Sequence, residues 1–198
     1  MLKISAIVMA AGMSRRMQQD KLHLKLNNRP IYEYILHTLN KYSFHEVLVV
    51  AKDEDILKKA ERFGFKGINN PHYLRGKSES IKAALKNSQK TDGYMFFVAD
   101  QPFIKLKTIK KLCAKFHDNP SCIVLPYYNR VPGNPVIFPY SLKEELLQLE
   151  NDQGGKVVIN NNRNKIIGVH ILTNSEYLDI DTFADFEKAR AILQSKKN

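Results

Sequence analysis

The chain is poor in the residues that build several common architectures. It has two cysteines, Cys113 and Cys122, among 198 residues. That is too few for a disulfide framework, and it points to a reducing, cytoplasmic setting. There is no HExxH or CxxC, and His23, His37, His45, His72, His117 and His170 are scattered, so no zinc site is expected. No apolar run approaches the ~18 residues of a membrane-spanning helix. The apolar stretch over 4–9 is short, and Arg15, Arg16 and Lys21 follow it, an order that excludes a secretory signal. With 43% hydrophobic and 10% aromatic residues, the composition also excludes low-complexity disorder.

Acidic residues are the scarcer charge, 20 against 31 basic ones, for a net +11. That balance suits an anionic partner such as a nucleotide or a phosphorylated metabolite. Lys52, Lys58, Lys59, Lys82, Lys86, Lys110 and Lys111 also recur at helical spacings, so they read equally as solvated helix faces. No basic stripe with interleaved aromatics is present, so neither nucleic acid nor a membrane is the expected partner.

Short β-branched runs alternate with amphipathic stretches. Strands are predicted at 4–9, 47–51, 66–69, 94–99, 122–125, 135–138 and 166–172, and helices at 30–42, 53–63, 78–88, 106–116, 141–149 and 182–194. The alternation predicts a three-layer α/β/α fold with a mostly parallel sheet of about seven strands, the later ones adding an antiparallel element. With no internal repeat and no linker of boundary quality, residues 1–198 read as a single domain. Ligands in such sheets sit beyond the carboxyl ends of the strands.

Four segments at those ends carry chemistry. Ala10-Ala11-Gly12-Met13-Ser14-Arg15-Arg16 follows the first strand and continues to Lys21. Small residues admit a close ligand to the backbone, and Arg16 and Lys21 bring charge suited to a triphosphate; an ordinary turn with surface cations would look alike. Gly76-Lys77-Ser78 is no P-loop, because Pro71 stands where the first glycine belongs. With Asn69, Asn70 and Ser80 it forms a polar turn that either holds an anion or only caps a helix with Ser78. Asp100-Gln101-Pro102 ends a buried strand, where a carboxylate needs a partner: a metal with phosphate oxygens, or a helix to cap. Asp179 and Asp181 alternate on one face ahead of Thr182 and Asp185, which have capping-box spacing.

Together these segments resemble the molybdenum cofactor cytidylyltransferases, molybdopterin nucleotidyltransferases of GT-A-like, Rossmann-related fold. Ala10, Ala11, Gly12, Ser14, Arg16, Met17 and Lys21 match the family's opening AAGxSxRMGxxK. Asn70, Gly76, Ser78 and Ser80 match its N…GxSxS segment, and Asp100-Gln101-Pro102 its DQP. Gly133, Pro135, Val136 and Phe138 resemble GHPVxF, Asp152 and Gly154 resemble GDxG, and Asp179-Ile180-Asp181-Thr182 with Asp185 resembles DIDTPEDL. Gln18, Lys77, Asn134 and Asn151 depart from the pattern, as does Phe183-Ala184.

The resemblance implies transfer of CMP from CTP to the phosphate of a molybdopterin-type cofactor, with release of pyrophosphate. Arg16, Lys21 and Asp100 are then the catalytic residues; Ala10, Ala11, Gly12, Arg16, Lys21, Asn70 and Ser80 bind nucleotide. Asp100 and Asp181 would hold Mg²⁺, with Asp179 open as a third ligand, and Gly133, Asn134, Pro135 and Asp152 would face the acceptor. A recipient molybdoenzyme is the implied protein partner. The rival readings are GTP as donor, a sugar or polyol phosphate as acceptor, a non-catalytic carrier of the cofactor, and an RNA-binding module suggested by the charge alone.

Overall fold

The apolar run Ile4–Ala10 forms β1, and its alternate side chains enter two different cores. Ala6, Val8 and Ala10 face one, and Ile7 the other, so the strand is covered on both sides. The chain then makes a two-residue hairpin, β2 (Lys25–Leu26) and β3 (Arg29–Pro30), and continues through α1 (Ile31–Leu39), β4 (Glu46–Ala51), α2 (Glu54–Arg62) and β5 (Lys66–Asn69). Next come α3 (Lys77–Asn87), β6 (Gly93–Val98), α4 (Leu106–Asp118), β7 (Ile123–Tyr128), β8 (Val131–Pro132), β9 (Val136–Pro139) and α5 (Lys143–Leu147). The last elements are α6 (Gly155–Asn161), β10 (Ile166–Ile171) and α7 (Phe183–Ser195). This computed structural model describes residues 2–13, 17 and 19–195.

Among the described residues, eight strands form one sheet in the order β10-β7-β9-β6-β1-β4-β5, with β8 hung on β7. β1 pairs in parallel with both β4 and β6, β7 pairs in parallel with β10, β9 runs antiparallel between β6 and β7, and β8 pairs antiparallel with β7. Side chains of α1, α2, α4 and α7 pack on one face, and those of α3, α5 and α6 on the other. The expected three-layer α/β/α arrangement with a mostly parallel sheet is therefore what forms. The chain leaves β1 for β4 and β5 on one side and returns to β6 on the other. The direction of winding thus reverses at the β1–β6 pair, where open α/β sheets bind ligands.

Local differences from the sequence reading have simple causes. The β2–β3 hairpin is too short for periodicity to show; its turn places Asn27 and Asn28 at φ of 45° and 62°, the primed-turn geometry that asparagine tolerates. Helix α6 is not among the expected elements because Gly154, Gly155 and three consecutive asparagines from 160 to 162 carry poor helix propensity, which burial of Val158 overrides. Asp53 is a cap and not a helical residue, accepting from the N–H groups of Asp55 and Ile56. Ser78 is not the cap of α3. Gly76 holds that position, and the Ser78 hydroxyl is buried with no partner among the described residues. Lys52 lies between β4 and α2 and not on a helix face; its ammonium rests 5.2 Å from the Tyr73 ring centroid and 3.5 Å from Asp20.

Candidate active site

At the carboxyl ends of β1 and β6 lies a cleft of about 730 Å³. Ala11, Gly12, Ser80 and Asp100 line its first half; Gly133, Asn134, Asp152 and Gly154 line the second, with Phe96 and Phe138 on the wall between. Ala11, Gly12, Asp100, Gly133 and Asn134 follow strands, Asp152 and Gly154 precede α6, and Ser80 lies in the first turn of α3, so the sheet edge gathers residues remote in sequence. Gly12 suits a close backbone approach, since among the described residues no atom beyond its chain neighbours lies within 4 Å of where its Cβ would be.

Three charged residues meet beside the cleft. The buried Lys21 ammonium lies 2.6 Å from Asp100 Oδ2 and 2.7 Å from Asp181 Oδ1. Burial opposes the lysine charge, but the carboxylates of Asp100 and Asp181 outweigh it and raise its pKa above the ordinary value. The segment carrying Asp181 is fixed by Ile180 N–H, which donates to the Asp100 carbonyl at 3.1 Å. Asp179 stands in the same group. Burial and the negative charge of Asp100 push its pKa up to about 6, against a hydrogen bond from the Gln101 amide.

The group meets the requirements of a divalent cation. Asp100 Oδ1 is buried and has no hydrogen-bond partner among the described residues, and Asp181 lies across the Lys21 ammonium from it. Hard cations such as Mg²⁺ take oxygen ligands, often one or two carboxylates completed by substrate phosphates. Among the described residues no three acidic, histidine or cysteine side chains form a metal cage of their own, so phosphate oxygens would complete the shell. The helix-cap alternative for Asp100 fails, because α4 begins only at Leu106 and its cap position is Lys105.

Other expected site residues fall into place unevenly. Ala10 is the last residue of β1, buried against Ala51, and does not reach the cleft wall. Asn70 does not line the cleft and is bonded as a buried support. At 1% exposure its amide donates to Ser80 Oγ at 2.9 Å, and its carbonyl oxygen accepts from His72 N–H at 3.0 Å. Pro135 follows a cis peptide bond from Asn134 and lies behind the wall. Arg16 lies outside the described residues. The cleft also recruits Tyr73, Lys156 and Tyr177; each is an isolated aromatic or cation in its own stretch of sequence, and no spacing marks it.

The MobA-like NTP transferase domain family matches residues 6–166, most of the 198-residue chain and both halves of the cleft. The chain belongs to this family. The MobA-like match spans β1, β6 and β9 together, so it covers the reversal point and its ligand edge. Over 196 residues the chain is 28% identical to the molybdenum cofactor cytidylyltransferase of Escherichia coli strain K12, covering 96% of this chain and 97% of that protein. Among solved structures, the homolog of Mycobacterium tuberculosis rv0371c from Mycobacterium sp. strain JC1 superposes with a TM-score of 0.85 at 24% identity, over 97% of each chain. Rv0371c of Mycobacterium tuberculosis H37Rv, in complex with manganese, superposes with a TM-score of 0.76 at 19% identity, over 96% of this chain and 98% of that one. Those two likenesses establish the fold. The MobA-like family identifies the chain as a nucleotidyltransferase. Among the described residues no helix is long and apolar enough to cross a membrane.

Proposed function

We propose that residues 1–198 form one nucleotidyltransferase domain that moves CMP from CTP to the terminal phosphate of a molybdopterin-type cofactor. In this reaction an acceptor phosphate oxygen attacks the α-phosphorus of CTP, a new phosphoanhydride bond forms, and the bond to pyrophosphate breaks. The observation that carries the reading is the Lys21 ammonium held between Asp100 and Asp181 beside a cleft of about 730 Å³.

Attack by an anion on a triphosphate needs placement and charge neutralisation more than covalent help. The backbone at Ala11 and Gly12 seats base and ribose, with Ala10 shaping the loop. Arg16 supplies positive charge to the triphosphate. Lys21 acts differently from a free phosphate cation: its ammonium bridges Asp100 and Asp181 and aims both carboxylates at one point. Asp100 and Asp181 would hold Mg²⁺, which would supply Lewis-acid polarisation at the α-phosphate. Ser80 contacts nucleotide on the cleft wall, backed by Asn70. Gly133, Asn134 and Asp152 receive the acceptor, with Pro135 fixing the turn behind them.

The test is thermal unfolding with CTP, GTP, ATP or UTP, each with and without Mg²⁺, followed by pyrophosphate release in the presence of molybdopterin cofactor. A ligand at a hundred times its Kd adds about 2.7 kcal/mol, a rise of a few degrees at this size. CTP alone should produce it, and only with Mg²⁺. A GTP-selective response would overturn the cytidylyl assignment, and silence with all four nucleotides would favour a carrier of the cofactor.

A further inference from the structure

Glu176 is buried at 1% exposure, and the reaction just described gives it no role. A buried carboxylate is costly unless its oxygens are satisfied. Here Oε2 accepts from Lys105 N–H at 3.0 Å, and Oε1 lies 4.0 Å from the Lys105 ammonium, which also donates to Thr173 Oγ1 at 3.2 Å. Lys105 ends the loop that begins at Asp100. The Ile180 N–H bond to the Asp100 carbonyl ties the same two segments together a few residues later. Residues 173–180 are thus fastened at both ends to the loop that carries the candidate metal ligand.

The neighbour of Glu176 does something else. The Tyr177 ring sits 5.4 Å from that of Tyr128, inclined by 40°. Gly133 occupies the slot they form: a Cβ there would lie 2.9 Å from Tyr128 carbons and 3.0 Å from Tyr177 Cδ2. Tyr128 is buried at 2% and its hydroxyl donates to the Asn134 carbonyl at 3.3 Å, so one side of the slot is rigid. Tyr177 is 38% exposed and lines the cleft with Gly133, so only its anchoring fixes the other side.

We propose that Glu176 is a positioning residue: by pinning the 173–177 turn to Lys105 it seats Tyr177 against Gly133, and so sets the acceptor-side wall at a fixed distance from Asp100. This inference rests on the reading of Gly133 and Asn134 as the acceptor side. An apolar residue at 176 would fill the space, but it could not grip the Lys105 N–H, and the turn would lose its register on the loop.

The variants are Glu176→Gln, which keeps an acceptor oxygen, Glu176→Ala, Tyr177→Phe and Tyr177→Ala. Tyr177→Ala removes a partly exposed ring and so leaves the fold standing even where Glu176→Ala does not. The alanine variants should raise the acceptor KM about tenfold, with kcat and CTP affinity within about twofold of wild type. The Phe and Gln variants should stay near wild type, and the double alanine variant should be no worse than either single one, because both break the same clamp. The Gly133 amide, which donates to the Pro126 carbonyl at 2.9 Å, should exchange hydrogen about tenfold faster in the alanine variants. Unchanged acceptor KM in Tyr177→Ala overturns the proposal, as does an equal loss in CTP affinity. If the wild type transfers nothing to a molybdopterin-type acceptor, the functional reading fails, and Gly133 exchange alone decides the clamp: unchanged exchange in Tyr177→Ala sinks it.

Discussion

The Lys21 ammonium lies 2.6 Å from the carboxylate of Asp100, a residue 79 positions further along the chain. One sits beyond the first strand and the other beyond β6, its parallel neighbour, so the contact is a direct product of the sheet order. The same ammonium reaches Asp181 at 2.7 Å, across 160 positions. Loss of any member changes the charge of the whole group.

Asp100→Asn and Asp181→Asn are each expected to lower kcat about 10²-fold or more, as removal of one preorganised electrostatic group does. Both should abolish the Mg²⁺-dependent part of CTP stabilisation. Asp179→Asn should have the smaller effect, since the Gln101 side-chain amide already bonds its carboxylate. Steady-state kinetics with Mg²⁺ titration checks the order, and a normal kcat for Asp100→Asn would remove the metal assignment.

Gly76 and Gly12 should respond to alanine in opposite ways. Gly76 has φ of +116°, and a Cβ there would lie 2.2 Å from the Asn151 carbonyl carbon. Gly76→Ala should therefore destabilise by about 2 kcal/mol or more, from a strained backbone and a forced shift of the 151–154 loop. Gly12→Ala meets no described atom beyond its chain neighbours within 4 Å and should leave stability within about 0.5 kcal/mol while weakening CTP binding. Urea unfolding and calorimetric titration separate the two outcomes.

Asn70→Ala should lower stability by about 1–3 kcal/mol, because the buried Ser80 hydroxyl and the His72 N–H each lose a partner. CTP affinity should fall only in proportion to any disturbance of Ser80. A loss of CTP binding with unchanged Tm would instead place Asn70 on the ligand.

Asp185 provides a pH-dependent test of the start of α7. Its amide donates to Thr182 Oγ1 at 3.2 Å, while its carboxylate accepts from Thr182 N–H at 3.1 Å. The Thr182 hydroxyl, helped by the Lys188 ammonium, holds the carboxyl pKa below the ordinary value against the opposing effect of burial. With the folded pKa the lower one, this stabilisation is complete above the ordinary carboxylate range and disappears as pH falls through the folded value, below about 4. Asp185→Ala should cost about 1 kcal/mol at neutral pH. The difference in Tm from wild type should narrow towards pH 3; a constant difference would count against the box.

Most strands and helices were legible because burial leaves a mark in local composition. The Ile4–Ala10 run is apolar throughout since both faces are covered, and α4 shows Ile109, Leu112, Cys113 and Phe116 at helical spacing since one face is. Asp100-Gln101-Pro102 drew notice because a charge ending such a strand is unusual. Thr182 and Asp185 showed their cap by spacing alone. The use of Asn70 was not legible for an equally local reason: a polar residue beside Gly76-Lys77-Ser78 looks the same whether it faces a ligand or holds a neighbour's hydroxyl.

By itself the sequence determined the layered α/β architecture, the family and the set of segments that meet at the ligand edge, because each depends on periodicity and motifs within a few residues. Only the tertiary structure decided how members of that set are used: that Lys21 bridges Asp100 and Asp181, that Asn70 stands behind Ser80, and that Glu176 and Tyr177 close on Gly133. Those outcomes depend on strand order and on distances between residues as many as 160 positions apart. Charge pairing and burial at that range are settled by where the sheet carries each segment, and no local pattern of residues records it.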